Sequence, residues 1–238
     1  MELRESTTNE NVMLQLTVKT EHGQKSIAAP VKHAVIGGWT ARDKASMEHH
    51  MEELEAVGVS RPNTTPVYYR VSASRITLNN SIEAIGTGSS GEVEYVLLAI
   101  DGKLYVGAGS DHTDRNAEVN GITIAKQLCD KPLANVFWPY EEVRDHWDKL
   151  IIRSYKVDGK KRELYQEGTV SSLLPPSELI GKYTNGGLLP DRTILFGGTV
   201  GAIGGIKTSK HFEFELEDPV LKRKINHAYD VNSLPIEG

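Results

Sequence analysis

The stretch "EVEYVLLAIDGKLYVGAGSD", residues 92–111, decides the fold of this chain because it has the pattern of a β-hairpin. Two apolar runs flank Asp101-Gly102, a dipeptide that suits a two-residue turn since both turn positions require positive φ. The first run is apolar almost throughout, which is typical of a strand that is buried on both faces. We therefore expect a central, buried hairpin around this turn.

The same stretch carries acidic residues at its two ends, with Glu92 and Glu94 at the start and Asp111 at the finish. Residues i and i+2 of a strand share a face, so the two glutamates point the same way, and hairpin pairing returns Asp111 to their side. Converging carboxylates repel one another unless water, a proton or a cation relieves them. A solvated strand face would also explain the two glutamates. If the three residues are semi-buried, their oxygen ligands favour Mg²⁺, Mn²⁺ or Ca²⁺ over zinc.

Composition indicates a globular protein and excludes several classes of partner. The chain has 238 residues, of which 39% are hydrophobic and 25% charged, and its formal net charge is −5 at pH 7. This charge gives no chain-wide basic surface for nucleic acid or anionic lipid. Cys129 is the single cysteine, so an internal disulfide is excluded and a reducing compartment is expected. The polar start of the chain lacks the apolar core of a signal peptide, and we expect a cytoplasmic protein with no membrane partner.

The remaining pattern is rich in strands and poor in helices. A strand pair is expected within residues 1–32, and a second hairpin where "LIIRSYKV" and "KRELYQ" flank Asp158-Gly159. The clearest helical periodicity lies within residues 40–58. No linker or internal repeat is visible, so we expect one domain over residues 1–238, with most of its strands in residues 66–238. The predicted class is a β-rich α+β fold with a few short helices.

A glycine-rich stretch, "GGTVGAIGG" at residues 197–205, follows a predicted strand. It lacks the Gly-Lys-Ser/Thr end of a P-loop, and no G-x-G-x-x-G opens a helix here, so nucleotide binding is not indicated. Two interpretations remain open. The stretch is either a tight irregular connection or a loop whose backbone amides, such as that of Gly198, and Thr199 hydroxyl hold a small anion such as a carboxylate.

Taken together, these motifs resemble the fumarylacetoacetate hydrolase family. Its members carry Glu-x-Glu on a strand, then "NDxSxRDxQ", then a lysine shortly before a proline, and "GTPxGVG" near the C-terminus. Here Glu92 and Glu94 match the first motif. The segment "SDHTDRNAE" supplies Asp111 and a substrate-binding Arg115, with Glu118 where the family has glutamine.

The later motifs extend the resemblance over roughly residues 33–215. The segment "AKQLCDKP" places Lys126 at the family's catalytic lysine, whereas Lys131 is left as an ordinary surface lysine. The glycine-rich stretch places Thr199, with Gly198, in the family's substrate-binding loop.

The water-activating part of the family's site is changed in this chain. The family uses the histidine of "NYxxH" with a glutamate on a mobile lid, but Lys44 stands at that histidine position. His49 or His50, with Glu48 or Glu52, would have to replace this pair. We assign His50 and Glu48 as candidate catalytic residues on the predicted lid-like helix.

The resemblance implies a fold, a cofactor and a class of reaction. The family fold is a roll of mixed β-sheets, which implies a catalytic β-roll over residues 66–238 here, and its members commonly form homodimers. Glu92, Glu94 and Asp111 would hold Mg²⁺ or Mn²⁺, with Lys126 adding positive potential beside a small 2-oxo acid. We expect a metal-dependent hydrolase that cleaves a C–C bond of an acylpyruvate through its enolate. A hydratase, dehydratase or decarboxylase of a 2-oxo (sugar) acid is the alternative, and a non-catalytic metal- or carboxylate-binding protein is a third possibility.

Overall fold

The computed structural model describes residues 12–43, 45, 48, 62 and 64–237 of the chain. Strands dominate these residues. In chain order they are β1 (Val12–Thr20), β2 (Gly23–Val31), β3 (His33–Gly38), β4 (Val67–Val71), β5 (Ile76–Thr77), β6 (Ser81–Ile85), β7 (Ser89–Ser90), β8 (Val93–Ile100), β9 (Lys103–Ser110), β10 (Thr113–Asp114), β11 (Lys131–Pro132), β12 (Val136–Pro139), β13 (Ile151–Asp158), β14 (Lys161–Thr169), β15 (Thr193–Phe196), β16 (His211–Asp218) and β17 (Arg223–Leu234). The helices are α1 (Ile122–Leu128), α2 (Tyr140–Val143) and α3 (Pro176–Thr184), with short 3-10 helices at Ala73–Arg75, Glu118–Asn120, Arg144–Lys149 and Val170–Ser172.

Two large sheets carry the fold. The first is mixed and has the strand order β2-β1-β12-β9-β8-β15-β3-β4, and the second has the order β14-β13-β16-β17-β6. Strands β10 and β7 form a short ladder, as do strands β11 and β5. The predicted β-rich α+β class is confirmed. Within the described part of the chain, none of the helices combines the length and apolar character of a membrane span.

The N-terminal strand pair is also confirmed, because β1 and β2 run antiparallel from Val12 opposite Val31 to Thr20 opposite Gly23. The helix predicted over residues 40–58 lies mostly outside the described residues.

The central hairpin forms as predicted from β8 and β9. Ile100 pairs with Lys103, and the two residues between them have positive φ, 51° at Asp101 and 70° at Gly102. Every residue of β8 is buried, because its two faces contribute to two different cores. One core is shared with the five-stranded sheet, and the other lies against β1, β3 and β15. Any polar side chain on β8 must therefore find its partners inside the protein.

The second hairpin turns one residue later than the sequence suggests. Asp158 pairs with Lys161 as the last residue of β13, so the turn consists of Gly159-Lys160 rather than Asp158-Gly159. Gly159 has φ 62°, which corresponds to a turn with glycine in its first position. The Asp-Gly prediction is wrong here, because pairing of the flanking strands sets the register and takes Asp158 into the ladder.

The positive φ of the central turn can be tested with two glycine substitutions that differ in backbone conformation alone. A Cβ added at Gly102 or at Gly181, inside α3, would meet no atom within 4 Å. We expect Gly102→Ala to lower the free energy of unfolding by about 1–2 kcal/mol, because alanine disfavours positive φ. Gly181→Ala should raise it by about 0.5–1 kcal/mol, since alanine is the better helix former. Urea unfolding of both variants gives the comparison, and a stable Gly102→Ala variant would contradict the turn geometry.

Candidate functional site

Three carboxylates meet at the open end of the central hairpin. Glu92 precedes β8, Glu94 lies within it, and Asp111 follows β9. The Asp111 amide donates to the Glu92 carbonyl at 2.9 Å, which continues the hairpin pairing past the strand ends. One oxygen from each carboxylate lies within 4.8 Å of the other two. Glu94 and Asp111 are buried and Glu92 is partly buried, so the predicted convergence is confirmed.

Two lysines approach this acidic triad from the next elements along the chain. The Lys126 ammonium, from α1, contacts Asp111 Oδ2 and lies 3.9 Å from Glu92 Oε2. The Lys131 ammonium, from β11, lies 3.3 Å from Asp111 Oδ1 and donates to the carbonyl oxygens of His112 and Lys126. Asp111 is thus held between two ammonium groups.

Arg115 joins the triad to a fourth carboxylate. Its Nη2 lies 3.0 Å from Glu92 Oε1, its Nη1 donates to Glu118 Oε1 at 2.8 Å, and its Nε donates to Ser90 Oγ at 2.7 Å. The guanidinium therefore forms ion pairs with Glu92 and Glu118 and donates a hydrogen bond to Ser90. The Arg115 charge is paired with carboxylates of this chain, and the Thr199 hydroxyl donates to a backbone carbonyl. The substrate-binding roles of both residues therefore stay predictions.

Burial and charge act against each other in this site. Burial raises the pKa of Glu94 well above its ordinary value, and the Asp111 carboxylate adds to the effect. Burial would also raise the pKa of Asp111, but Lys126 and Lys131 outweigh it and hold that pKa below its usual range. Burial would lower the pKa of Lys126, yet Asp111 and Glu92 raise it. Glu94 is therefore the triad member whose negative charge is least compensated.

The residues present fit a hard divalent cation. Asp111 Oδ1 is buried and accepts no hydrogen bond, although Lys131 Nζ lies 3.3 Å away. The site contains four carboxylates, which are those of the triad and of Glu118. It contains three basic side chains, which are those of Lys126, Lys131 and Arg115. One negative charge is in excess when all are ionised. Glu92, Glu94 and Asp111 could hold such a cation through oxygen ligands.

The glycine-rich stretch packs directly onto the triad. The Gly198 amide donates to Glu94 Oε2 at 2.7 Å, and the Thr199 hydroxyl donates to the Val93 carbonyl at 2.7 Å. A Cβ at Gly197 would lie 1.9 Å from the Tyr95 ring, so only glycine allows this approach. These two donors therefore position β8, a role that the sequence alone did not indicate.

His112 lies beside the triad but is committed to the structure. Its Nδ1 is 2.9 Å from the Tyr229 hydroxyl and its Nε2 is 2.8 Å from Ser89 Oγ. Burial lowers the pKa of His112 to about 3, so the ring stays neutral at physiological pH. The Tyr229 hydroxyl also lies 2.8 Å from Ser110 Oγ. This network braces the two chain segments that carry the triad.

Lys131 is the residue that sequence reasoning missed. It is fully buried, so treating it as a surface lysine was wrong. The available signal was its position directly before Pro132, since the family's lysine precedes a proline. Of the candidate catalytic pair, Glu48 is an exposed helical residue and His50 lies outside the described residues, so their roles stay predictions.

Comparison with known proteins bears on the family and on the fold. The family model described as "Protein of unknown function (DUF2848)" matches residues 37–229. A comparison with curated protein sequences finds no match.

Several solved structures share the fold at low sequence identity. A 2-keto-3-deoxyarabinonate dehydratase is 14% identical with a TM-score of 0.61, covering 89% of this chain and 78% of that chain. A 2-keto-3-deoxy-D-arabinonate dehydratase complexed with magnesium and 2,5-dioxopentanoate is 15% identical with a TM-score of 0.58, covering 88% and 77%. The 4-oxalocrotonate decarboxylase from Pseudomonas putida G7, complexed with calcium and acetate, is 12% identical with a TM-score of 0.55, covering 84% and 77%. These likenesses establish the fold, which is the roll of mixed sheets expected from the resemblance.

One buried amide ties the site to the five-stranded sheet and can be tested. Gln166, on β14, accepts from the Val93 amide at 3.0 Å and donates to Thr199 Oγ1 and the Val200 carbonyl, both at 2.7 Å. We expect Gln166→Ala to lower the free energy of unfolding by about 3 kcal/mol, because it leaves several buried polar groups unpaired. Gln127 is the matched control, since it accepts from a backbone amide in a more exposed place.

Gln127→Ala should cost about 1 kcal/mol or less. Urea unfolding of both variants measures the difference. Equal losses would show that Gln166 is not the anchor between the sheet and the site.

Proposed function

We propose that this chain, which belongs to the family described as "Protein of unknown function (DUF2848)", is a divalent-metal-dependent enzyme that acts on a small 2-oxo acid. The observation that carries this proposal is the convergence of Glu92, Glu94 and Asp111 in a largely buried place, where these three carboxylates and Glu118 outnumber the three neighbouring cations. A buried excess of negative charge is costly unless a cation or a proton relieves it.

The charge balance suits an anionic substrate. With a divalent cation held by the triad, the cluster of four carboxylates and three basic side chains changes from one negative to one positive charge. A 2-oxo acid carries one carboxylate at neutral pH and so complements that charge. When bound, the metal would supply positive charge beside an oxygen on which negative charge develops.

The chain's own residues have separate tasks in this proposal. Lys131 and the Arg115–Glu118 pair hold the triad in place, while Lys126 adds positive potential at its edge. His112 is a poor candidate for the water-activating base, because both ring nitrogens are engaged and a pKa of about 3 makes the ring a weak base. A base for hydrolysis would therefore have to come from elsewhere, and His50 with Glu48 remains our candidate.

The reaction type follows from that base. Hydrolysis of an acylpyruvate needs an activated water, whereas decarboxylation needs chiefly a sink for the electrons of the enolate. We propose C–C hydrolysis first and dehydration or decarboxylation of a 2-oxo acid as the alternative. The alternative is supported by the dehydratase and the decarboxylase that share this fold. We also propose that this family is a branch of the fumarylacetoacetate hydrolase superfamily and that the chain acts as a homodimer.

Metal binding is tested by thermal melts of chelator-stripped protein with Mg²⁺ or Mn²⁺, then with added oxalate as a mimic of pyruvate enolate. A ligand at one hundred times its Kd stabilises the fold by about 2.7 kcal/mol, and we expect a rise in Tm with metal and a further rise with oxalate. Glu94→Gln should abolish both rises. Without metal, its Tm should equal or exceed that of the parent, because the change removes a carboxyl group whose ionised form is disfavoured by burial, while its amide oxygen can still accept from Gly198.

The matched control is Glu83→Gln, which changes an exposed carboxylate on β6 and should leave both rises intact. If Glu94→Gln bound metal as tightly as the parent, the assignment of the metal ligands would be wrong.

The substrate class is tested on the metal-loaded protein with acylpyruvates and 3-deoxy-2-oxo sugar acids. Pyruvate release from an acylpyruvate indicates hydrolysis, loss of water from a sugar acid indicates dehydration, and CO₂ release indicates decarboxylation. Metal binding without turnover of any 2-oxo acid would instead support a non-catalytic metal- or carboxylate-binding protein.

A further inference from the structure

Lys126 places an ammonium group among the three carboxylates. Its Nζ contacts Asp111 Oδ2 and lies 3.9 Å from Glu92 Oε2, beside a triad in which one oxygen of each carboxylate lies within 4.8 Å of the other two. A divalent cation bound by the triad would need the same carboxylate oxygens.

Lys131 is fixed in a way that Lys126 is not. The Lys131 ammonium is fully buried and donates to two backbone carbonyls, those of His112 and Lys126. These acceptors do not move without unfolding the local backbone. Lys131 therefore keeps its place beside Asp111 whatever the triad binds.

The contacts described for the Lys126 ammonium involve side chains. They are the carboxylates of Asp111 and Glu92 and the ring face of Tyr69, whose centroid lies 5.6 Å away. The Lys126 side chain also retains 9% exposure, against 0% for Lys131. A flexible four-carbon stem with an exposed edge can withdraw its ammonium without changing the backbone.

We propose that Lys126 holds the place of the divalent cation in the metal-free protein and that the cation binds by displacing the Lys126 ammonium from Glu92 and Asp111. This inference rests on the proposed metal site. It makes Lys126 a residue that stabilises the metal-free fold and weakens metal binding, because the incoming cation must break an existing ion pair. Lys126 is then a built-in competitor that sets how tightly the site holds its metal.

The test is calorimetric titration of Mn²⁺ into chelator-stripped protein, with the Tm of the metal-free form as a second readout. Lys126→Met should bind Mn²⁺ at least tenfold more tightly than the parent, and its metal-free form should melt at a lower temperature because the triad loses a counter-charge. Lys126→Arg keeps the charge and should not gain affinity. Lys103→Met removes an exposed charge from the far end of β9 and should match the parent in both readouts.

The outcomes separate this inference from the proposed function. If neither the parent nor Lys126→Met binds Mn²⁺, both the metal site and the displacement are wrong. If both bind it equally, or the variant binds it more weakly, the metal site stands and the displacement is overturned. If only Lys126→Met binds it, the metal does not displace the lysine in the parent, which overturns both the displacement and the metal dependence of the parent. Lys126→Gln removes the same charge if the Met variant does not fold.

Discussion

The cost of burying carboxylates at the end of a two-sided hairpin is the constraint on which the rest of the site depends. Strand β8 has cores on both faces, so Glu94 has no access to bulk water and Asp111 is equally enclosed. Both need counter-charges from within the chain. The elements that follow the hairpin supply them to Asp111, since α1 contributes Lys126 and β11 contributes Lys131, whereas Glu94 accepts a hydrogen bond from the Gly198 amide. The short elements between β9 and β12 thus have an electrostatic task as well as a connecting one.

Rigidity comes from polar groups that join separate parts of the fold. Gln166 connects the five-stranded sheet to the start of β8 and to the glycine-rich stretch with one buried amide. His112 and Tyr229 connect the residues around Asp111 to β17. These buried groups form hydrogen bonds with partners on other elements. A shift of one sheet relative to the other would therefore leave several of them unpaired. Such a frame holds the three carboxylates in fixed positions, which is a condition for a preorganised site.

The same contacts explain why the motif resemblance predicts the positions of the site residues better than it predicts their roles. The carboxylate triad depends on hairpin register alone, and it lies together as the motif implies. The loop residues Gly198 and Thr199 depend on what packs against them, and here they serve Glu94 and Val93. Glu118 stands where the resembled motif has glutamine and is paired with Arg115, so the charge of that pair is balanced internally. Motifs thus identify the position of the site better than they identify its chemistry.

The sequence by itself determined the central hairpin, its Asp101-Gly102 turn and the meeting of Glu92, Glu94 and Asp111. Turn conformation and register are set by neighbours in the chain, and the alternation of side chains then follows from strand geometry. The tertiary structure alone decided that Lys131 is buried against Asp111. It also decided that the second hairpin turns at Gly159-Lys160 and that His112 is locked between two hydroxyl groups. Those outcomes depend on partners that come from distant parts of the chain, and a local pattern carries no information about which distant group will neutralise a buried charge.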